Sequence, residues 1–134
     1  MTPLHEVIIN KNTSINPIWI MRQAGRYLPE FREIRSKNTD FIKLCLNPTL
    51  STEITLQPLK RFDFDAAIIF SDILMLPYGL NQNVEFKKDF GPILSELNLN
   101  KISEVKEIDF IERVKQVYMA IKNVSNNDIL KNKN

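Results

Sequence analysis

The sequence predicts an α/β fold built on parallel strands. Two short apolar runs, Ile18-Trp19-Ile20-Met21 and Ala66-Ala67-Ile68-Ile69-Phe70, are continuous rather than alternating, as strands covered on both faces are. Helical segments separate them, and that alternation favours parallel pairing over hairpins. The first run is followed at once by Arg22 and the second, after Ser71, by Asp72, which suits a fold whose ligands sit beyond the carboxyl ends of its strands.

In chain order, residues 1–16 form a polar lead-in with a short helix around Leu4 to Ile9. Pro17 precedes the first strand. Pro29 opens a helix through Phe31, Ile34 and Arg35. Thr39 and Asp40 are N-cap candidates for a short helix over 41–46, and Asn47-Pro48 repeats the signal for a helix to about Phe62. Pro58 predicts a kink or an early end in that helix. The second strand, Ala66 to Phe70, leads to Ser71-Asp72. Residues 75–100 are punctuated by Pro77, Gly79, Gly91 and Pro92, and VEFKKDF suits either a short hairpin or an extended loop. Asp109 with Glu112 resembles a capping box. Phe110, Val114, Val117, Tyr118 and Ile121 then recur at helical spacing, which predicts their packing face. Residues 125–134 read as a polar, disordered tail. Two strands are few for an ordinary sheet of about 5–6, so the sequence reads as a single partial domain over 1–134.

Composition narrows the function. The 134 residues carry 18 basic and 16 acidic side chains, a net charge of +2. That balance argues against a nucleic-acid partner or a membrane-surface role. No apolar run reaches the roughly 20 residues of a membrane span, and the start MTPLHEVIINKN lacks signal-peptide character. A cytoplasmic protein is the expectation. One cysteine, Cys45, forms no internal disulfide, and with a single histidine, His5, no zinc site is expected. His5 reads as a surface residue. Cys45 reads as a small core residue, and Tyr27 and Phe41 also read as core.

The segment MRQAGRYLPE carries the chemistry. Arg22 and Arg26 flank Gln23-Ala24-Gly25, a small loop that lets backbone approach a ligand. Guanidinium groups stay charged and match carboxylates with a planar fork, so two on one loop suit a substrate with several carboxylates. Asp72 after its apolar run would stand in a partly dry cleft, placed to accept substrate N–H groups or to stabilise developing positive charge. The same spacing equally suits structural ion pairs of the arginines with Glu30, Glu33 or Asp72. Asp72 also suits a turn cap, and Arg35 a solvated helix position.

MRQAGRYLPEFREIR, LSTEITLQPLKRFDFDAAIIFSDIL and the GP of KKDFGPIL together resemble the N-terminal part of the uroporphyrinogen decarboxylase family, from about Ile18 to Val124. The resemblance implies a (β/α)₈ TIM barrel of which this chain holds an N-terminal, incomplete part, since a whole barrel takes about 250 residues. It implies a homodimer with no cofactor and no metal. Its substrate is uroporphyrinogen, a reduced tetrapyrrole with eight carboxylate arms, whose four acetates are decarboxylated to give coproporphyrinogen in haem and porphyrin biosynthesis. It places Arg22, Gln23, Ala24, Gly25, Arg26, Arg35, Phe41 and Asp72 against the substrate. Asp72 and Arg22 are its catalytic candidates, Asp72 facing the pyrrole N–H groups and Arg22 delivering a proton. It also implies a truncated chain with little activity alone, or a non-catalytic remnant that acts as an interaction fragment.

Overall fold

The computed structural model describes residues 2–87 and 90–131. Ten elements follow one another: α1 (Pro3–Ile9), α2 (Pro29–Lys37), α3 (Phe41–Cys45), α4 (Pro48–Arg61), α5 (Met75–Gly79), β1 (Val84–Lys87), β2 (Gly91–Leu94), α6 (Leu99–Ser103), α7 (Glu107–Ser125) and α8 (Asp128–Lys131).

Local chemistry accounts for most helix starts. Asp40 accepts the Lys43 amide at 3.0 Å and Asn47 accepts the Leu50 amide at 3.0 Å, satisfying donors that the first turn leaves open. Pro3, Pro29 and Pro48 sit in first turns, where a missing N–H costs nothing. Pro58 does not end α4, which runs one further turn and closes with the Phe62 amide on the Pro58 carbonyl at 2.8 Å. The capping box at Asp109 is corrected. α7 begins at Glu107 behind Lys106, which places Asp109 inside the first turn, where its charge still favours the helix dipole.

α4 is the hub. Ser51 and Ile54 through Leu59 are buried along it, so it is covered nearly all round. On one side Ile54 joins Leu28, Phe31 and Leu44; on the other Leu56 and Leu59 join Phe64 and Val124. α5 packs on α7 through Gly79, where a Cβ would lie 2.5 Å from the Phe110 ring and 3.1 Å from Val114. The buried line of α7 is Val114, Ala120 and Val124, flanked by half-buried Phe110 and Val117. Tyr118 and Ile121, counted into that face from the sequence, stand 49% and 44% exposed. Where a disordered tail is expected over 125–134, α7 continues to Ser125, and α8 follows with Ile129 and Leu130 against the second core cluster. Residues 132–134 of that expectation lie outside the described residues.

The predicted parallel strands are also corrected. Among the described residues the only sheet is an antiparallel hairpin, β1 against β2, with Val84 opposite Leu94 and Lys87 opposite Gly91. Val84–Lys87 of VEFKKDF thus take the hairpin form, with residues 88–89 of that stretch outside the described residues, and Gly91 enters β2 at φ +85°, a conformation glycine adopts without strain. Ile18–Met21 and Ala66–Phe70 have no ladder. They share one backbone bond, Asp65 N–H to the Ile18 carbonyl at 2.8 Å, and the Asp65 carboxylate returns the favour by accepting the Ile18 amide at 2.7 Å. A strand needs neighbours along its length, and neither segment has them. Ile18, Trp19, Ile20 and Met21 are 47–72% exposed instead of buried.

Candidate functional site

The arginine segment is a tight loop pinned to the core. Leu28 is 1% exposed and packs with Phe31, Leu44 and Ile54, with Ala24 against the same cluster. The Leu28 amide closes on the Gly25 carbonyl at 3.0 Å, and the Tyr27 hydroxyl donates to the Gln23 carbonyl. Arg32 of α2 reaches back, its Nη1 donating to the carbonyls of Arg26 and Tyr27 at 2.7 and 3.1 Å. The Gln23 side chain turns inward, 1% exposed, and its amide is taken up by Ile20 N–H and the Ala66 carbonyl. Any contact it makes with a ligand therefore comes from its backbone. Tyr27, expected in the core, is 54% exposed, because its ring lies along the loop with only its hydroxyl engaged. A Cβ on Gly25 would meet the Tyr27 ring at 3.8 Å, an ordinary contact, so nothing crowds this backbone.

Anchoring the loop this way leaves its charges outside. Arg22 and Arg26 are exposed. Arg26, Arg32, Arg35 and Ser36 line a hollow of about 260 Å³. The carboxylates that could have neutralised the loop are engaged elsewhere. Glu30 holds Arg61 through two bonds of 2.6 and 2.9 Å, and Arg61 keeps its carboxyl below the usual range. Glu33 pairs with Lys37 at 2.8 Å. Of the alternatives open in the sequence, ion pairing of Arg22 or Arg26 is not realised among the described residues.

The second chain segment ends in a fixed geometry. Ser51 Oγ donates to the Phe70 carbonyl at 2.5 Å, and Phe70 N–H donates to Thr55 Oγ1 at 2.8 Å. Two hydroxyls on successive turns of α4 thus take the place of strand neighbours. The Phe70 ring packs edge-on against Phe31 and Phe41, with centroids 5.8 and 6.0 Å away. Phe41 carries the Arg35 guanidinium 5.6 Å from its ring centroid, a cation–π contact. Arg35 also donates to the Asn38 carbonyl. Phe41 is half-buried and also meets Phe86 of the hairpin at 5.1 Å.

Asp72, two residues beyond Phe70, is half-buried and caps its own turn, Oδ1 accepting the Leu74 amide at 2.9 Å. The turn-cap role is therefore present, and it uses one carboxylate oxygen. Cys45 reports what surrounds it. Burial first, then the Asp72 charge, push its thiol up to about 12, while Arg35 opposes them. Arg22 and Asp72 form no ion pair. Among the described residues, no group of three or more His, Cys, Asp or Glu could hold a metal.

Three positions escaped the sequence reading. Arg32 lies three residues before Arg35, on the same face of α2, a spacing that could have flagged it. Ser51 and Thr55, four apart on an otherwise apolar helix face, hinted at a polar partner, but which one is decided only by the return of Phe70.

A family model described as uroporphyrinogen decarboxylase (URO-D) matches residues 1–128. Proteins named uroporphyrinogen decarboxylase are similar over most of the chain. The one from Chelativorans sp. (strain BNC1) is 48% identical over 106 residues, covering 79% of this chain and 31% of its own length. Those from Rickettsia felis and Agrobacterium fabrum are 45% and 44% identical over 116 and 115 residues, covering 87% and 86% of this chain and 34% and 33% of theirs. The chain thus spans about a third of the length of the curated relatives it matches.

Proposed function

This chain belongs to the uroporphyrinogen decarboxylase family, and we propose that it supplies the carboxylate-gripping part of a (β/α)₈ cleft that decarboxylates the acetate arms of uroporphyrinogen. The observation that carries this reading is the charge balance of the loop. Among the described residues Arg22 and Arg26 are exposed without ion pairs, while Glu30 pairs with Arg61 and Glu33 with Lys37. Unpaired guanidinium groups on a pinned loop are prepared for an anionic ligand, and the forked donors match its carboxylates.

In this reading Arg22, Arg26 and Arg35 hold carboxylate arms of the macrocycle, the backbone of Gln23, Ala24 and Gly25 lies against it, and Phe41 offers an apolar wall. Asp72 faces the pyrrole N–H groups with the oxygen its turn leaves over. Protonating a pyrrole makes that ring an electron sink. The bond from the acetate methylene to its carboxylate breaks, CO₂ leaves and the electron pair moves into the protonated ring; the exocyclic methylene then takes a proton, with Arg22 on the delivery path, and the ring gives up the proton first added, so one proton is consumed per CO₂. A carboxylate fixed beside the transient cation lowers the barrier, and its loss costs roughly 10²–10³ in rate. The protein acts in the cytoplasm as a homodimer, without cofactor or metal.

A second reading, a catalytically silent fragment, is favoured by the match to only about a third of each relative and by the exposed apolar run Ile18–Met21. One pair of measurements separates the two. The purified chain is mixed with uroporphyrin I, followed by fluorescence, and with uroporphyrinogen under nitrogen, followed by chromatography of the oxidised products. Binding weakened by Arg26→Ala, with no coproporphyrin formed, is the expected result. Turnover abolished by Asp72→Asn would sink the silent-fragment reading, and absence of binding would remove the carboxylate grip.

A further inference from the structure

We infer that the Gln23 side chain is a positioning residue, a single amide that couples the arginine loop to the segment carrying Asp72. The inference rests on the proposed carboxylate-gripping role of that loop.

Parallel neighbours in a sheet are normally held by evenly spaced backbone bonds. Here the two segments exchange bonds only at their starts, between Ile18 and Asp65. Further along, one side chain replaces the ladder. Gln23 Oε1 accepts Ile20 N–H at 3.2 Å, and its Nε2 donates to the Ala66 carbonyl at 2.9 Å. The Gln23 side chain is 1% exposed, so the amide itself is shielded from water. One bond belongs to the approach to the loop, the other to the approach to Phe70 and Asp72. Gln23 itself stands between Arg22 and Arg26. Tyr27 donates its hydroxyl to the Gln23 carbonyl, so the backbone of the same residue is clamped from the loop side. Whatever fixes Gln23 therefore fixes where the loop guanidiniums stand relative to the Asp72 segment. A buried amide that loses its partners strands the groups it satisfied.

The substitutions are Gln23→Leu, which keeps the bulk and removes both bonds, and Gln23→Glu, which keeps the acceptor for Ile20 and puts a second acceptor against the Ala66 carbonyl. Val124→Ala, in the other core cluster, serves as a control for general destabilisation. Two readouts are taken on the 134-residue chain below its melting temperature: amide hydrogen exchange at Ile20 and affinity for uroporphyrin I. Gln23→Leu is expected to expose the Ile20 amide and to weaken binding roughly tenfold, the fold-change equivalent to one lost hydrogen bond. Gln23→Glu is expected to retain Ile20 protection yet weaken binding as much, because only the tie to Ala66 is cut. Val124→Ala is expected to lower stability and leave affinity unchanged. If Ile20 exchange is unaltered in Gln23→Leu, the brace is overturned. If affinity in both Gln23 variants follows the Val124→Ala control, the positioning role is overturned while the proposed function stands. If the unaltered chain binds no uroporphyrin, the proposed grip fails and the positioning role with it.

Discussion

Replacing Thr55 by valine removes one hydroxyl and almost no volume. Thr55 is fully buried, and its Oγ1 accepts Phe70 N–H at 2.8 Å while donating to the Ser51 carbonyl at 2.7 Å. The Ser51 carbonyl keeps its place in the ladder of α4, so the loss falls on Phe70. A backbone N–H left without a partner costs about 1–3 kcal/mol. At roughly 4 °C per kcal/mol for a domain of this size, melting should fall by about 4–12 °C. Thermal unfolding followed by circular dichroism measures the fall, and hydrogen exchange at Phe70 localises it. Ser51→Ala removes the donor to the Phe70 carbonyl. Because both hydroxyls hold one residue, the double variant should cost less or more than the sum by about 0.5 kcal/mol or beyond. A Thr55→Val protein within about 0.3 kcal/mol of the unaltered chain, with Phe70 still protected, would refute the view that side chains of α4 stand in for strand pairing.

Gln57 is 3% exposed with neither amide atom partnered among the described residues, so Gln57→Met, similar in length and apolar, should raise stability by about 1–3 kcal/mol in urea unfolding; a loss would show that the amide is satisfied. Gly79→Ala should destabilise by about 1–3 kcal/mol because the new methyl meets the Phe110 ring at 2.5 Å, and Phe110→Leu in the same chain should recover part of it in the same assay. The buried Cys45 thiol should resist alkylation at pH 8 in the native chain and react on unfolding. Its raised folded pKa favours the folded state fully below the unfolded value of 9.0, and that contribution is lost as pH climbs from there to about 12; the decline over this window should be shallower in Cys45→Ala.

Helix starts were legible from the residues because a helix closes its hydrogen bonds within its own segment. Asp40 and Asn47 accept amides three positions away, and the first-turn prolines act through their own fixed φ and missing N–H. The arginine loop was visible for the same local reason, as a cluster of unusual residue types around two small ones. Strands are different: half of each bond is contributed by another part of the chain. Ile18–Met21 and Ala66–Phe70 have the composition of buried strands, but only the fold decides that Gln23, Asp65, Ser51 and Thr55 satisfy them instead. Charge pairing is equally non-local. Glu30 goes to Arg61, a residue 31 positions away on α4, a choice invisible in MRQAGRYLPE, and among the described residues the loop arginines carry no ion pair.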